Sequence, residues 1–83
     1  MYKIELSKRA IKDFNLLNMV GFKNHIMKLL YILNDNPFQN PPPYKKLEGY
    51  SNRYSRRINK QHRLVYTIIE NTIKINSMWT HYE

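Results

Sequence analysis

From Arg53 onward the hydrophobic period becomes two, and the breaks between the runs are too short for anything but tight turns. Period two over this length predicts strands at 53–59, 62–70 and 72–79. Only Lys60-Gln61 and Asn71 separate them, so the strands pair in sequence as an antiparallel meander. Val65, Ile68, Ile73 and Ile75 supply the apolar face that such a sheet must cover.

The cover lies upstream. Residues 1–6 alternate as a short strand, with Tyr2, Ile4 and Leu6 against Lys3 and Glu5. Ser7 is placed to cap a helix whose stripe runs Ala10, Ile11, Phe14, Leu17 and then Met19 or Val20. Gly21 breaks that stripe, and a second follows through Phe22, Ile26, Leu29, Leu30 and Leu33, ending near Asn34-Asp35-Asn36-Pro37. Met19 and Met27 are expected as core fillers. Pro41-Pro42-Pro43 reads as a stiff extended connector. The expected fold is therefore α+β: an N-terminal strand and a two-helix hairpin packed on a curled antiparallel sheet. A chain of 83 residues forms one domain, residues 1–83, burying only about 60% of its unfolded surface.

Charge narrows the function. Residues 45–63 hold seven basic side chains and one acidic, net +6 of the chain's +8. A compact domain carrying that density favours a polyanionic partner: nucleic acid, an acidic protein or an anionic membrane surface. A merely solvated basic face is the plain alternative. No run approaches the roughly 20 apolar residues that span a bilayer, so no membrane-crossing segment is expected, and of the three polyanions a membrane is not the expected partner. The start Met1-Tyr2-Lys3-Ile4-Glu5 lacks the layout of a signal peptide, and cysteine is absent, which together predict a cytoplasmic protein. His25 and His62 have no partners at metal-ligand spacing, and neither a Ser/His/Asp set nor a glycine-rich phosphate loop is present.

Arg57 and Arg63 flank a tight turn, so they are expected side by side across two strands, with Arg56 on the opposite face from Arg57. Tyr44, Tyr50, Tyr54 and Tyr66 interleave with these charges, a combination suited to clamping phosphates and stacking splayed bases of single-stranded RNA. Surface arginine and tyrosine on a small sheet is the competing reading. At the other end of the sequence, Trp79 and Tyr82 can pin the tail and hold His81 near the basic face, where an imidazole can protonate a leaving oxygen near neutral pH. A solvated tail histidine is the alternative.

Three separated stretches carry a resemblance: 36–44 (NPFQNPPPY), 54–66 (YSRRINKQHRLVY) and 78–83 (MWTHYE). In that order they closely resemble the Txe/YoeB toxins of bacterial type II toxin–antitoxin systems, within the RelE/ParE superfamily. The resemblance implies a ribosome-dependent mRNA interferase acting in the A site, blocked by a YefM/Axe-type antitoxin, with a homodimer among its assemblies. It implies cleavage without metal or cofactor. The ribose 2′-hydroxyl attacks its own 3′-phosphate, the 5′-oxygen leaves, and a 2′,3′-cyclic phosphate remains. On the matching motifs, Arg63 stabilises the phosphate, His81 is the general acid and Tyr82 positions the substrate. Arg53, Arg56, Arg57 and Lys46 are then expected as RNA or ribosome contacts.

One departure stands out. Where the family has Pro-Tyr-Glu-Lys-Leu, with glutamate as general base, this chain reads Pro43-Tyr44-Lys45-Lys46-Leu47. The stretch from Leu47 to Tyr54 is also one residue shorter than usual. Lysine side chains at their ordinary pKa are neutral only about 0.04% of the time at pH 7, so lysine is a poor base unless its surroundings help. RelE, in the same superfamily, nonetheless relies on lysines. Lys45 is thus the expected base, and the alternative is a catalytically weakened toxin homologue that acts by binding antitoxin or ribosome. A gyrase inhibitor of the ParE type is a third reading, disfavoured by the terminal His81-Tyr82 pair, which those toxins lack.

Overall fold

Ser7 sits at the hinge between the first strand and the first helix, and its side chain serves both. In the computed structural model, which describes residues 1–79, its Oγ accepts from the Ala10 amide at 3.0 Å and donates to the Asn76 carbonyl at 2.9 Å. The first bond caps helix α1 (Lys8–Met19); the second ties that cap to the sheet. Ser7→Ala is expected to cost about 1 kcal/mol of stability, measurable by urea unfolding. An unchanged midpoint would show the cap to be dispensable.

Gly21, at φ +90°, takes the left-handed turn that ends α1 and lets α2 (Lys23–Asp35) fold back. The strands are β1 (Lys3–Leu6), β2 (Tyr44–Lys46), β3 (Arg53–Arg57), β4 (Arg63–Ile69) and β5 (Thr72–Ser77), in sheet order β1-β5-β4-β3-β2. The expected meander is β3-β4-β5, each run ending two residues or so earlier than periodicity suggested. At the β3–β4 turn the reason is local: Asn59 Oδ1 accepts from the amides of Gln61 and His62, drawing the chain into a turn.

Two pairings had no local signal. β1 joins the sheet as a parallel edge beside β5, so the sheet is mixed. β2, three residues long, adds antiparallel to the far side of β3. The Pro41–Pro43 run is bent rather than extended, and delivers the chain into β2.

Both helices cover one face of the sheet. Leu64, Tyr66, Ile73 and Ile75 meet Ala10, Leu17, Ile26 and Leu33 there, all fully buried. Val65 belongs to the opposite face, because alternation cannot place residues 65 and 68 together. Met19 and Met27 are not core fillers: they are 81% and 48% exposed, because the helices turn those positions away from the sheet. Ile11 and Val20 likewise face outward. Asp13, by contrast, occupies the stripe and is buried. Among the described residues no helix is long and apolar enough to cross a membrane.

Candidate functional site

The sheet face away from the helices carries the charge. Arg57 and Arg63 are directly opposite each other across β3 and β4. One row along, Lys45 faces Ser55, which faces Val65. Alternation therefore puts Lys45, Arg57 and Arg63 on one side of the sheet, and the turn set by Asn59 adds Lys60 at its tip. These four cations line an open groove of about 630 Å³, walled by Pro42 and Pro43, with no carboxylate from the described residues in its lining.

Ser55 is buried between them and orients one arginine: its Oγ accepts from Arg63 Nε at 3.1 Å. That bond fixes the plane of a half-buried guanidinium at the groove. Such an arrangement can bind a phosphodiester and stabilise the extra negative charge of a pentacoordinate phosphorane. Neither Ser55 nor Lys60 was singled out from the sequence. Lys60 was legible as a cation in the turn joining Arg57 to Arg63, whereas the part played by Ser55 depends on the register.

The other expected contacts lie elsewhere. Arg56 is a correction: it is fully buried and cannot touch RNA. Its Nη1 donates to Pro42 O at 2.6 Å and its Nη2 to Pro37 O and Gln39 O at 2.8 and 2.9 Å. It clasps the 37–42 loop onto the sheet, and so seats the approach to β2. Arg53 stands four residues up β3 from Arg57, stacked 4.2 Å over the Tyr50 ring and bonded to Thr67 Oγ1, in a pocket of its own. Lys46 is exposed but follows Lys45 in the strand and so points to the other side of β2.

Of the four tyrosines, Tyr50 lies under Arg53 and Tyr44 lines the groove, but Tyr54 and Tyr66 face the side of the sheet away from Arg57 and Arg63. Phe38, Tyr44, Tyr54 and Tyr66 make a chain of ring contacts 5.7–6.0 Å apart. Tyr66 is fully buried, and burial pushes its phenol above the ordinary range, opposed by the neighbouring Arg56 charge.

His81 and Tyr82 lie outside the described residues. What is described is the approach to them. Trp79 lies against His62, the residue before Arg63, with ring centroids 4.2 Å apart. The amides of Met78 and Trp79 both donate to Asp13 Oδ2, at 2.9 and 3.1 Å. Among the described residues no group of His, Cys, Asp and Glu side chains is arranged to hold a metal ion.

Over residues 7–82 the chain matches the family of YoeB-like toxins of bacterial type II toxin–antitoxin systems. It is 36% identical to Toxin YoeB of Synechocystis sp. over 87 aligned positions, covering 92% of this chain and 98% of that one. The YoeB dimer from Staphylococcus aureus superposes with a TM-score of 0.85 at 34% identity, covering 98% of each chain. The toxin in the YoeB–YefM complex from the same organism does so at 0.82 and 34%, covering 99% of each.

Proposed function

This chain belongs to the YoeB-like toxins of bacterial type II toxin–antitoxin systems, and on that premise we propose that it is a ribosome-dependent endoribonuclease that cuts mRNA in the A site. The observation that carries the reading is the groove in which Lys45, Arg57, Lys60 and Arg63 converge. Two residues of chain reach no farther than about 7 Å, so covalent geometry tethers position 81 to Trp79, next to the residue that precedes Arg63.

In the proposed reaction the 2′-oxygen gives up its proton and attacks the adjacent phosphorus. The P–O5′ bond breaks, and the 5′-oxygen takes a proton as it leaves. Arg63, held by Ser55, stabilises the phosphorane. His81 protonates the leaving oxygen and Tyr82 positions the ribose. Arg57 and Lys60 hold flanking phosphate charge. Lys45 stands where the 2′-hydroxyl's base is needed, and it also adds a phosphate contact. None of these steps calls for a metal or a cofactor.

The partners follow from the same surface. An acidic antitoxin of the YefM type docks onto the basic groove, faster and tighter for the +8 charge, and YefM is the protein bound to YoeB in the Staphylococcus aureus complex. A homodimer is consistent with the Staphylococcus aureus YoeB dimer. A ribosomal target places the protein in the cytoplasm. All of this is expected of residues 1–83 as a single domain.

A second reading rests on Lys45 itself. With lysine in the groove and no carboxylate beside it among the described residues, the chain would be a weakened toxin that occupies the A site or sequesters antitoxin. Translating ribosomes on a defined message separate the two. The nuclease reading expects cut message ending in 2′,3′-cyclic phosphate, and a loss of about 10²–10³-fold in rate for Arg63→Ala. Message left intact by both the natural chain and Lys45→Glu would overturn it and leave the binding role.

A further inference from the structure

Asp13 is the buried charge that the proposed chemistry does not use. It sits in the apolar stripe of α1, 4% exposed, where an aliphatic side chain would otherwise pack. Burying a carboxylate is costly unless hydrogen bonds compensate. Here they come from one place: the two consecutive backbone amides just beyond β5, Met78 N at 2.9 Å and Trp79 N at 3.1 Å, both onto Oδ2. At this point the chain has left the ladder at Ser77, and Met78 is fully buried, so its amide needs a partner off the sheet. Arg9, one turn earlier on the helix, approaches the same oxygen at 3.6 Å from the solvent side. A group on the first helix thus fixes the backbone two residues before His81.

We propose that Asp13 is a positioning residue for the catalytic tail: its carboxylate sets the point and direction from which the segment carrying His81 and Tyr82 leaves the sheet. The inference rests on the nuclease reading. The bonds suit the task because charge-assisted contacts to backbone amides hold the main chain itself at Met78 and Trp79. The Trp79 ring, lying tilted against His62, is the second fixed point. Two anchors on consecutive residues define an exit direction, which one anchor alone would not.

Position and activity are both readable. Trp79 is the chain's only tryptophan, so its fluorescence reports on the docked segment directly. Asp13→Ala is expected to shift its emission to longer wavelength and raise acrylamide quenching, while the far-UV circular dichroism stays that of the folded chain. In the ribosome assay Asp13→Ala is expected to lower kcat by about 10–100-fold with KM little changed, and Asp13→Asn, which keeps an acceptor oxygen, to recover part of the loss. The decisive comparison is a cycle with His81→Ala. If Asp13 acts through the tail, Asp13→Ala costs less than about twofold once His81 is gone.

An equal loss in both backgrounds, or fluorescence unchanged by Asp13→Ala, overturns the proposal and leaves a structural role. Should Asp13→Ala not fold, Asp13→Asn carries both measurements, with a smaller shift of the same sign expected and no shift overturning the idea. If His81→Ala cleaves like the natural chain, the nuclease reading itself has failed; if His81→Ala abolishes cleavage and Asp13→Asn and Asp13→Ala are neutral, only this inference has.

Discussion

Lys45→Glu is expected to speed message cleavage at pH 7 by roughly 10²-fold, the lower end of what a positioned general base contributes. An ammonium group has no lone pair with which to take the 2′-hydroxyl proton, whereas a carboxylate is already ionised. The same change removes one of four cations from the groove, so KM for the ribosome-bound message should rise as kcat rises. That opposed movement is what separates a base effect from a change in affinity. Single-turnover cleavage on programmed ribosomes measures it. A rate that falls or does not move would mean that Lys45 contributes only phosphate binding, or that the hydroxyl proton leaves by another route.

The groove explains why such an exchange is tolerated by the fold. Lys45 is exposed on a three-residue edge strand and faces Ser55 across the ladder. Its side chain takes no part in the apolar core. A carboxylate placed there would meet Arg57, Lys60 and Arg63, all favourable partners in charge. The substitution therefore tests chemistry with little interference from stability.

How far the sequence foretold this site depends on the range of each signal. Strands β3 to β5 and both helices announce themselves through periodicity and turn residues, which are local, and alternation alone pairs Arg57 with Arg63. The parallel pairing of β1 with β5 joins residues at opposite ends of the chain and has no local mark. β2 is too short for a period to show. Alternation also put Arg56 and Arg57 on opposite faces without saying which face meets water, and that is settled only by where the helices pack. The same ambiguity misassigned Tyr54 and Tyr66, which share the helix-covered side with Arg56. Asp13 was legible in principle: it falls between Ala10 and Leu17 on a stripe that is otherwise apolar, and a carboxylate there calls for a buried donor.

Arg56 carries the largest effect on stability. Its guanidinium is wholly buried, and the carbonyls of Pro37, Gln39 and Pro42 converge on it from one loop. The Tyr44 ring lies 5.1 Å from the guanidinium carbon, and no carboxylate among the described residues pairs with it. The charge is thus held by backbone dipoles and an aromatic face, an arrangement that fails as a unit when the arginine is removed. Arg56→Ala strands carbonyls that had a charged donor and opens a hole beside Tyr66, and it should cost about 3 kcal/mol or more in urea unfolding. For a domain of this size that is a large share of a total near 5–15 kcal/mol. Arg56→Lys should recover only a part, because one ammonium cannot reproduce a fork that spans three carbonyls. The loop it clasps leads into β2, so the partly rescued protein should also bind RNA phosphate less well, through misplacement of Lys45 rather than through any lost contact at Arg56. A cost below about 0.5 kcal/mol for Arg56→Ala, the range of an ordinary surface substitution, would mean that the loop holds itself and that the buried guanidinium is incidental to it.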